Sequence, residues 1–242
     1  MDRHSDVEQR HASARVAFFG GSFDPPHLGH LAIARAARDA LHLDRVLFAP
    51  VGAQPLKPLG PTVSFDDRVA MTQLAIAGEP AFELSRIDAP NPEGQPNYTL
   101  ETLRKMRREL GPHADLFCLM GADSFVSLRR WHGAAEIPFA AALIVASRPG
   151  LRLDDLDGLL GNDLSLEPDA APHGSSNSGV DIRAFLVRDS AGRTAPFYLL
   201  PGLDVEISAS AIRAQAHSAS SHEAALVPPA VSEYIRANDL YR

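Results

Sequence analysis

The chain of 242 residues is 45% hydrophobic, ample for one sizeable core, and a single α/β domain is the default at this length. A net charge of -7 argues against a nucleic-acid partner, which would need a broad basic footprint, and leaves open a local basic site for a small anion. The one cysteine, Cys118, excludes an internal disulfide and a multi-cysteine zinc site, and in its apolar run it reads as a core residue.

Residues 1–14 are polar and hold no apolar h-region, so they read as a disordered tail and not as a secretory signal. No apolar run approaches the roughly 20 residues of a membrane span. The expectation is a soluble cytoplasmic protein with no membrane partner and one domain over 15–242. Arg15 to Phe19 is apolar and β-prone, a buried strand. It runs into Gly20-Gly21-Ser22-Phe23-Asp24-Pro25-Pro26-His27-Leu28-Gly29-His30. Beyond that, Leu28, Leu31, Ala34, Ala37 and Leu41 form one face of a helix. Strand, glycine turn and helix make a phosphate-binding loop: glycines let the backbone approach the ligand, and a helix N-terminus offers N–H groups to an anion. Two prolines suit the first helical turn. His27 and His30 fall on one side of the helix start, beside that anion site.

Asp44 to Val51 predicts a second strand, followed by a Gly/Pro-rich loop, Gly52 to Pro61, that contains Lys57. Ser64 caps a helix to about Ala77, with Asp67 three residues on. Ala81 to Ile87 predicts a third strand. Thr99 is placed as the cap of a helix whose one face carries Leu100, Leu103, Met106 and Leu110, stopped by Gly111-Pro112. Asp115 to Met120 and Ala141 to Ala146 predict a fourth and a fifth strand, ending in Gly121-Ala122-Asp123-Ser124 and Ser147-Arg148-Pro149-Gly150. Alternating strands and helices mean a doubly wound parallel sheet of Rossmann-like type, whose ligands bind beyond the carboxyl ends of the strands. The first loop, Lys57, Asp123 and Arg148 all follow strands and should converge on one edge. Gly161 to Gly179 is rich in Gly, Ser, Asn, Asp and Pro and reads as a mobile surface insertion. A hairpin over Asp181–Arg188 and Pro196–Leu200 and a small C-terminal helical portion, from Ser208 and again from Pro229, complete the chain.

Four further segments admit two readings each. Ser208-Ala209-Ser210-Ala211-Ile212-Arg213 is either an N-cap with a solvated arginine or a second anion site with hydroxyls and a guanidinium. Tyr98-Thr99 is a helix start, whose N–H groups can also take a carboxylate. Trp131 by itself reads as a core or interface residue, and Asp123 as a helix cap. The seven histidines other than His27, His30 and His132 fit no ligand spacing.

The pair H-x-G-H within G-G-S-F-D-P-P-H-L-G-H resembles the H-x-G-H nucleotidyltransferase superfamily, and the whole run resembles the first motif of bacterial nicotinate-mononucleotide adenylyltransferases. Ser208 to Arg213 is similar to that family's I-S-S-T-x-I-R motif, with Ala209 where a second serine is usual. Tyr98-Thr99-Leu100-Glu101-Thr102-Leu103 matches its Y-T-x-x-T-L segment, and Gly121-Ala122-Asp123-Ser124 followed by Trp131 matches its G-A-D-S…W. Lys57 resembles the basic residue of a P-x-x-x-P-P-H-[KR] segment from which this chain departs at Gln54 and Leu56. The resemblance implies adenylyl transfer from ATP to nicotinate mononucleotide. It makes His27, His30 and Arg213 catalytic and puts Gly21, Ser22, Phe23, His30, Asp123, Ser208, Ser210, Ile212 and Arg213 on ATP. Asp24, Lys57, Tyr98, Thr99, Trp131 and the amide of His132 fall to the mononucleotide. Mg²⁺ is expected to arrive with ATP, held mostly by phosphates and water, so no metal-ligating residues are assigned. Two alternatives stay open: another H-x-G-H adenylyltransferase, for nicotinamide mononucleotide or phosphopantetheine, or a non-catalytic nucleotide-binding module.

Overall fold

The computed structural model describes residues 13–56, 60–147, 156–161, 163–169, 182–200, 207–216 and 226–241. Its strands are β1 (Arg15–Gly21), β2 (Arg45–Pro50), β3 (Phe82–Leu84), β4 (Asp115–Gly121), β5 (Ala142–Ala146), β6 (Leu164–Pro168), β7 (Arg183–Asp189) and β8 (Thr194–Leu200). Its helices are α1 (Leu28–Leu41), α2 (Phe65–Ala75), α3 (Thr99–Leu110), α4 (Ala122–Ser127), α5 (Ile137–Ala140), α6 (Leu156–Leu160), α7 (Ala209–Ala216) and α8 (Pro229–Ala237).

The strands form one sheet in the order β3-β2-β1-β4-β5-β8-β7-β6. Pairings from β3 through β5 to β8 are parallel, and β8-β7-β6 is antiparallel. Because side chains alternate along a strand, each central strand feeds two cores. Val16, Phe18, Leu116, Cys118, Leu143 and Val145 pack with Leu100, Leu103 and Met106 of α3. Ala17, Phe19, Phe117, Leu119 and Ile144 pack with Leu31, Ala34 and Ala37 of α1. Helices thus cover both faces, which is why the strands read as continuous apolar runs. A third cluster joins Met71 of α2 to Ile212, Val231, Ile235 and Tyr241, so the C-terminal helices lean on α2.

Several boundaries differ from expectation. The first helical residue of α3 is Thr99 and the cap position belongs to Tyr98, without a side-chain cap bond. β3 is three residues long, since it pairs only with β2 before the chain turns away. Ser13 and Ala14 are tied down, Ala14 by its carbonyl to the Asp115 amide at 2.9 Å, so the stretch expected to be a disordered tail is ordered at its last two residues. Within 161–179, Leu164–Pro168 is not a mobile loop but the edge strand β6, with Arg188 and Glu167 paired through two contacts of 3.0 Å. Its Leu-Ser-Leu alternation is too short to stand out from the Gly- and Asp-rich flanks. Of the rest of that expected insertion, residues 162 and 170–179 lie outside the described residues, as do Lys57, Arg148 and residues 1–12.

Candidate active site

Chain order leaves β1 toward β2 on one side, and β4 lies on the other, so the switch point of the sheet falls between β1 and β4. Ligands of open α/β sheets bind there, beyond the strand ends. A cavity of about 800 Å³ opens at that place. It is lined by Gly21, Ser22, Phe23, Asp24, His27, His30, Tyr98, Thr99, Asp123, Trp131, His132, Ser208, Ser210 and Arg213. Four separated segments of the chain therefore converge. Ile212 does not: it is 1% exposed, packed in the cluster on α2, and its amide donates to the Ser208 carbonyl at 3.2 Å.

The glycine loop is held from below. Phe23 has a left-handed backbone, φ +47°, uncommon for a residue with a Cβ. Its buried ring sits 5.6 Å from Phe19, 5.6 Å from Phe48 and 4.9 Å from His30, contacts that over-determine the conformation. The same contacts fix the His30 ring. His30 Nδ1 accepts the His27 amide at 3.2 Å, so the neutral His30 ring carries its proton on Nε2. The two imidazoles stack at 3.7 Å. His27 is 7% exposed and burial depresses it to about 4, which keeps it neutral at pH 7; its Nδ1 has no partner among the described residues. Of the N–H groups at the start of α1, that of Leu28 is taken, donating to Leu226 O at 3.0 Å.

Arg213 enters from α7. Its Nη1 donates to Asp24 O at 2.6 Å and its Nη2 to Ser210 Oγ at 3.2 Å. Ser208 Oγ accepts the Ala211 amide at 3.1 Å, so this segment is an N-cap and lines the cavity at once. Asp24 reaches the cavity wall, but its carboxylate is occupied by tertiary partners: Thr62 N donates to Oδ2 at 2.6 Å and Tyr241 Oη to Oδ1 at 2.7 Å.

At the opposite end, the Tyr98 and His132 rings lie 4.5 Å apart. Trp131 Nε1 donates to Ser127 Oγ at 3.1 Å, and Ser127 Oγ to Ser124 O at 2.9 Å, which fixes the indole plane. Gly133, φ +63°, allows this turn to lie on α3: a Cβ there would stand 2.3 Å from Leu100 Cδ2. The His132 amide has no acceptor among the described residues.

Several wall residues went unread in the sequence. Gln54 accepts from Ser22 Oγ at 3.2 Å, and its position after β2 was the available signal. Asn97 ties the 52–56 loop to the 88–97 loop through Ala53 N at 3.0 Å and Ala89 O at 3.0 Å. Asp88 is buried, which raises its carboxyl pKa, and it accepts from the Thr102 hydroxyl. Cys118 is raised to about 12 by burial and is inert as a nucleophile.

Fold and cavity together define an α/β nucleotidyltransferase, and the description of cytidylyltransferase-like proteins matches residues 18–215. A probable nicotinate-nucleotide adenylyltransferase of Stenotrophomonas maltophilia (strain K279a) is 40% identical over 93% of this chain and 96% of its own length. One of Pelobacter propionicus is 38% identical over 94% and 98%. The chain belongs to the cytidylyltransferase-like family and, within it, to the nicotinate-nucleotide adenylyltransferases. Among solved structures, the Plasmodium falciparum nicotinic acid mononucleotide adenylyltransferase complexed with NaAD shares the fold at TM-score 0.67 and 16% identity, over 94% of this chain and 97% of that one.

Proposed function

We propose that this enzyme transfers the adenylyl group of ATP to the 5′-phosphate of nicotinate mononucleotide, giving nicotinate adenine dinucleotide and pyrophosphate. The observation that carries the reading is the convergence of a histidine pair, Arg213 and an aromatic pocket with a backbone donor on one cavity. A phosphate oxygen attacks the α-phosphorus and the bond to pyrophosphate breaks. The attacking phosphate is largely dianionic at neutral pH, its second pKa being about 6, so no general base is required. The protein aligns two anions and stabilises charge on the α-phosphate and the leaving group. His27 and His30 are placed to donate to those oxygens, and Arg213 to the triphosphate end. Mg²⁺ enters as part of the ATP substrate, held mostly by phosphates and water.

Trp131 supplies a face for the pyridine ring, and the α3 start with the His132 amide supplies donors for a ring carboxylate. An amide in place of the acid would set donor against donor, costing about 1–3 kcal/mol per mispaired buried group, roughly 10- to 100-fold in kcat/KM. The test is product analysis by mass after incubation with ATP, Mg²⁺ and a panel of nicotinate mononucleotide, nicotinamide mononucleotide and phosphopantetheine. Nicotinate adenine dinucleotide should dominate; equal use of the amide would overturn the acid preference, and a product from phosphopantetheine alone would overturn the pyridine assignment.

A further inference from the structure

Asp24 is 3% exposed, yet it is met by groups from three other parts of the chain. Thr62 N and Tyr241 Oη each cap one carboxylate oxygen, at 2.6 and 2.7 Å. Arg213 Nη1 donates to its carbonyl and stands 3.9 Å from Oδ2. Arg68, 1% exposed, donates to the neighbouring Ser22 carbonyl at 2.8 Å, so this buried cation is tied to the loop. Tyr241 follows α8 in a left-handed backbone, φ +63°, and is 5% exposed. A residue near the chain end is thus held in an uncommon conformation so that its hydroxyl meets a loop 217 positions earlier. Burial, then the bond to Asp24, raise the phenol pKa, so the hydroxyl stays a donor.

We propose that Tyr241 is a positioning residue for the ATP site: by holding one oxygen of Asp24, its hydroxyl leaves the Arg213 guanidinium available to a triphosphate. Without that hydroxyl, a buried carboxylate oxygen lacks a donor, and such groups recruit whatever donor can move. Arg68 is 1% exposed and anchored through Nη1 to the Ser22 carbonyl, so it is packed in place although its Nε has no partner among the described residues, whereas the Arg213 side chain is 29% exposed and already 3.9 Å from the same carboxylate. Arg213 would therefore swing onto Asp24 and compete with ATP for its own guanidinium. The inference rests on the adenylyl-transfer reading, with ATP as the ligand of Arg213.

The test is calorimetric binding of a non-hydrolysable β,γ-methylene ATP analogue and, separately, of nicotinate mononucleotide to the full chain, without turnover. Tyr241→Phe keeps the buried ring and should weaken analogue binding roughly 10-fold. Mononucleotide affinity should stay within about 2-fold, because no contact among the described residues joins Tyr241 to Tyr98, Trp131 or His132. Adding Asp24→Asn to Tyr241→Phe should bring analogue affinity back, because a neutral amide no longer draws Arg213. A merely structural role for Tyr241 would make the double variant worse than either single one. Unchanged analogue affinity in Tyr241→Phe, equal weakening of both ligands, or no recovery in the double variant would each overturn the proposal. If Tyr241→Phe does not fold, Asp24→Asn by itself decides: analogue affinity should match or exceed that of the unmodified protein, and a selective loss would overturn it. Failure of the unmodified chain to bind the analogue at all would instead overturn the adenylyl-transfer reading.

Discussion

The two ends of the cavity are built differently. The ring end is local: Tyr98, Leu100, Ser127, Trp131, His132 and Gly133 fall within 36 consecutive residues and touch one another through short contacts. The phosphate end is assembled over nearly the whole chain, since Asp24 meets Thr62, Arg213 and Tyr241, and Leu28 meets Leu226. The ring end should therefore change specificity with little effect beyond its own turn. The phosphate end should couple catalysis to the seating of the C-terminal helices.

The largest expected effect is at the phosphate end. His30→Ala removes a donor from the reacting phosphates and should lower kcat by roughly 100-fold or more with the fold retained; unchanged kcat with normal circular dichroism would refute the role. His27 links that end to stability. Its folded pKa of about 4 lies below the ordinary 6.5, so the unfolded chain binds the extra proton first as pH falls. Its contribution is complete above pH 6.5 and lost progressively down to about pH 4, by about 3 kcal/mol. Denaturant titrations from pH 7 to pH 4 should show a shallower loss in His27→Gln than in the unmodified protein; parallel curves would sink the assignment.

Arg213→Ala comes next. Loss of a charge-assisted clamp should reduce kcat/KM for ATP by about 2 kcal/mol, roughly 30-fold, and alter the mononucleotide KM less. Equal effects on both substrates would erase the division between the two ends. The smallest effect is expected at the ring end. Gly133→Ala puts a Cβ against Leu100 at a left-handed position and should cost about 1 kcal/mol in stability. It should also raise the mononucleotide KM by roughly 10-fold as Trp131 and His132 shift, with the ATP KM steady. A change in the ATP KM of similar size would show that the ends are not independent.

The sequence by itself determined the features that rest on local chemistry. Apolar runs and helical periodicity placed β1, β2, β4, β5 and α1, because each side chain's face follows from its neighbours a few positions away. Glycines, prolines and two histidines at fixed spacing marked the anion loop for the same reason. The tertiary structure decided everything that depends on a distant partner. It made Leu164–Pro168 a strand, since an edge segment pairs only when β7 is already in place. It moved Ile212 into the core, because α7 packs on α2. It also made Asp24, which lines the cavity, a hub whose oxygens are held by Thr62 and Tyr241, a pairing that no local pattern encodes and that exists only once α8 and Tyr241 return to the first loop.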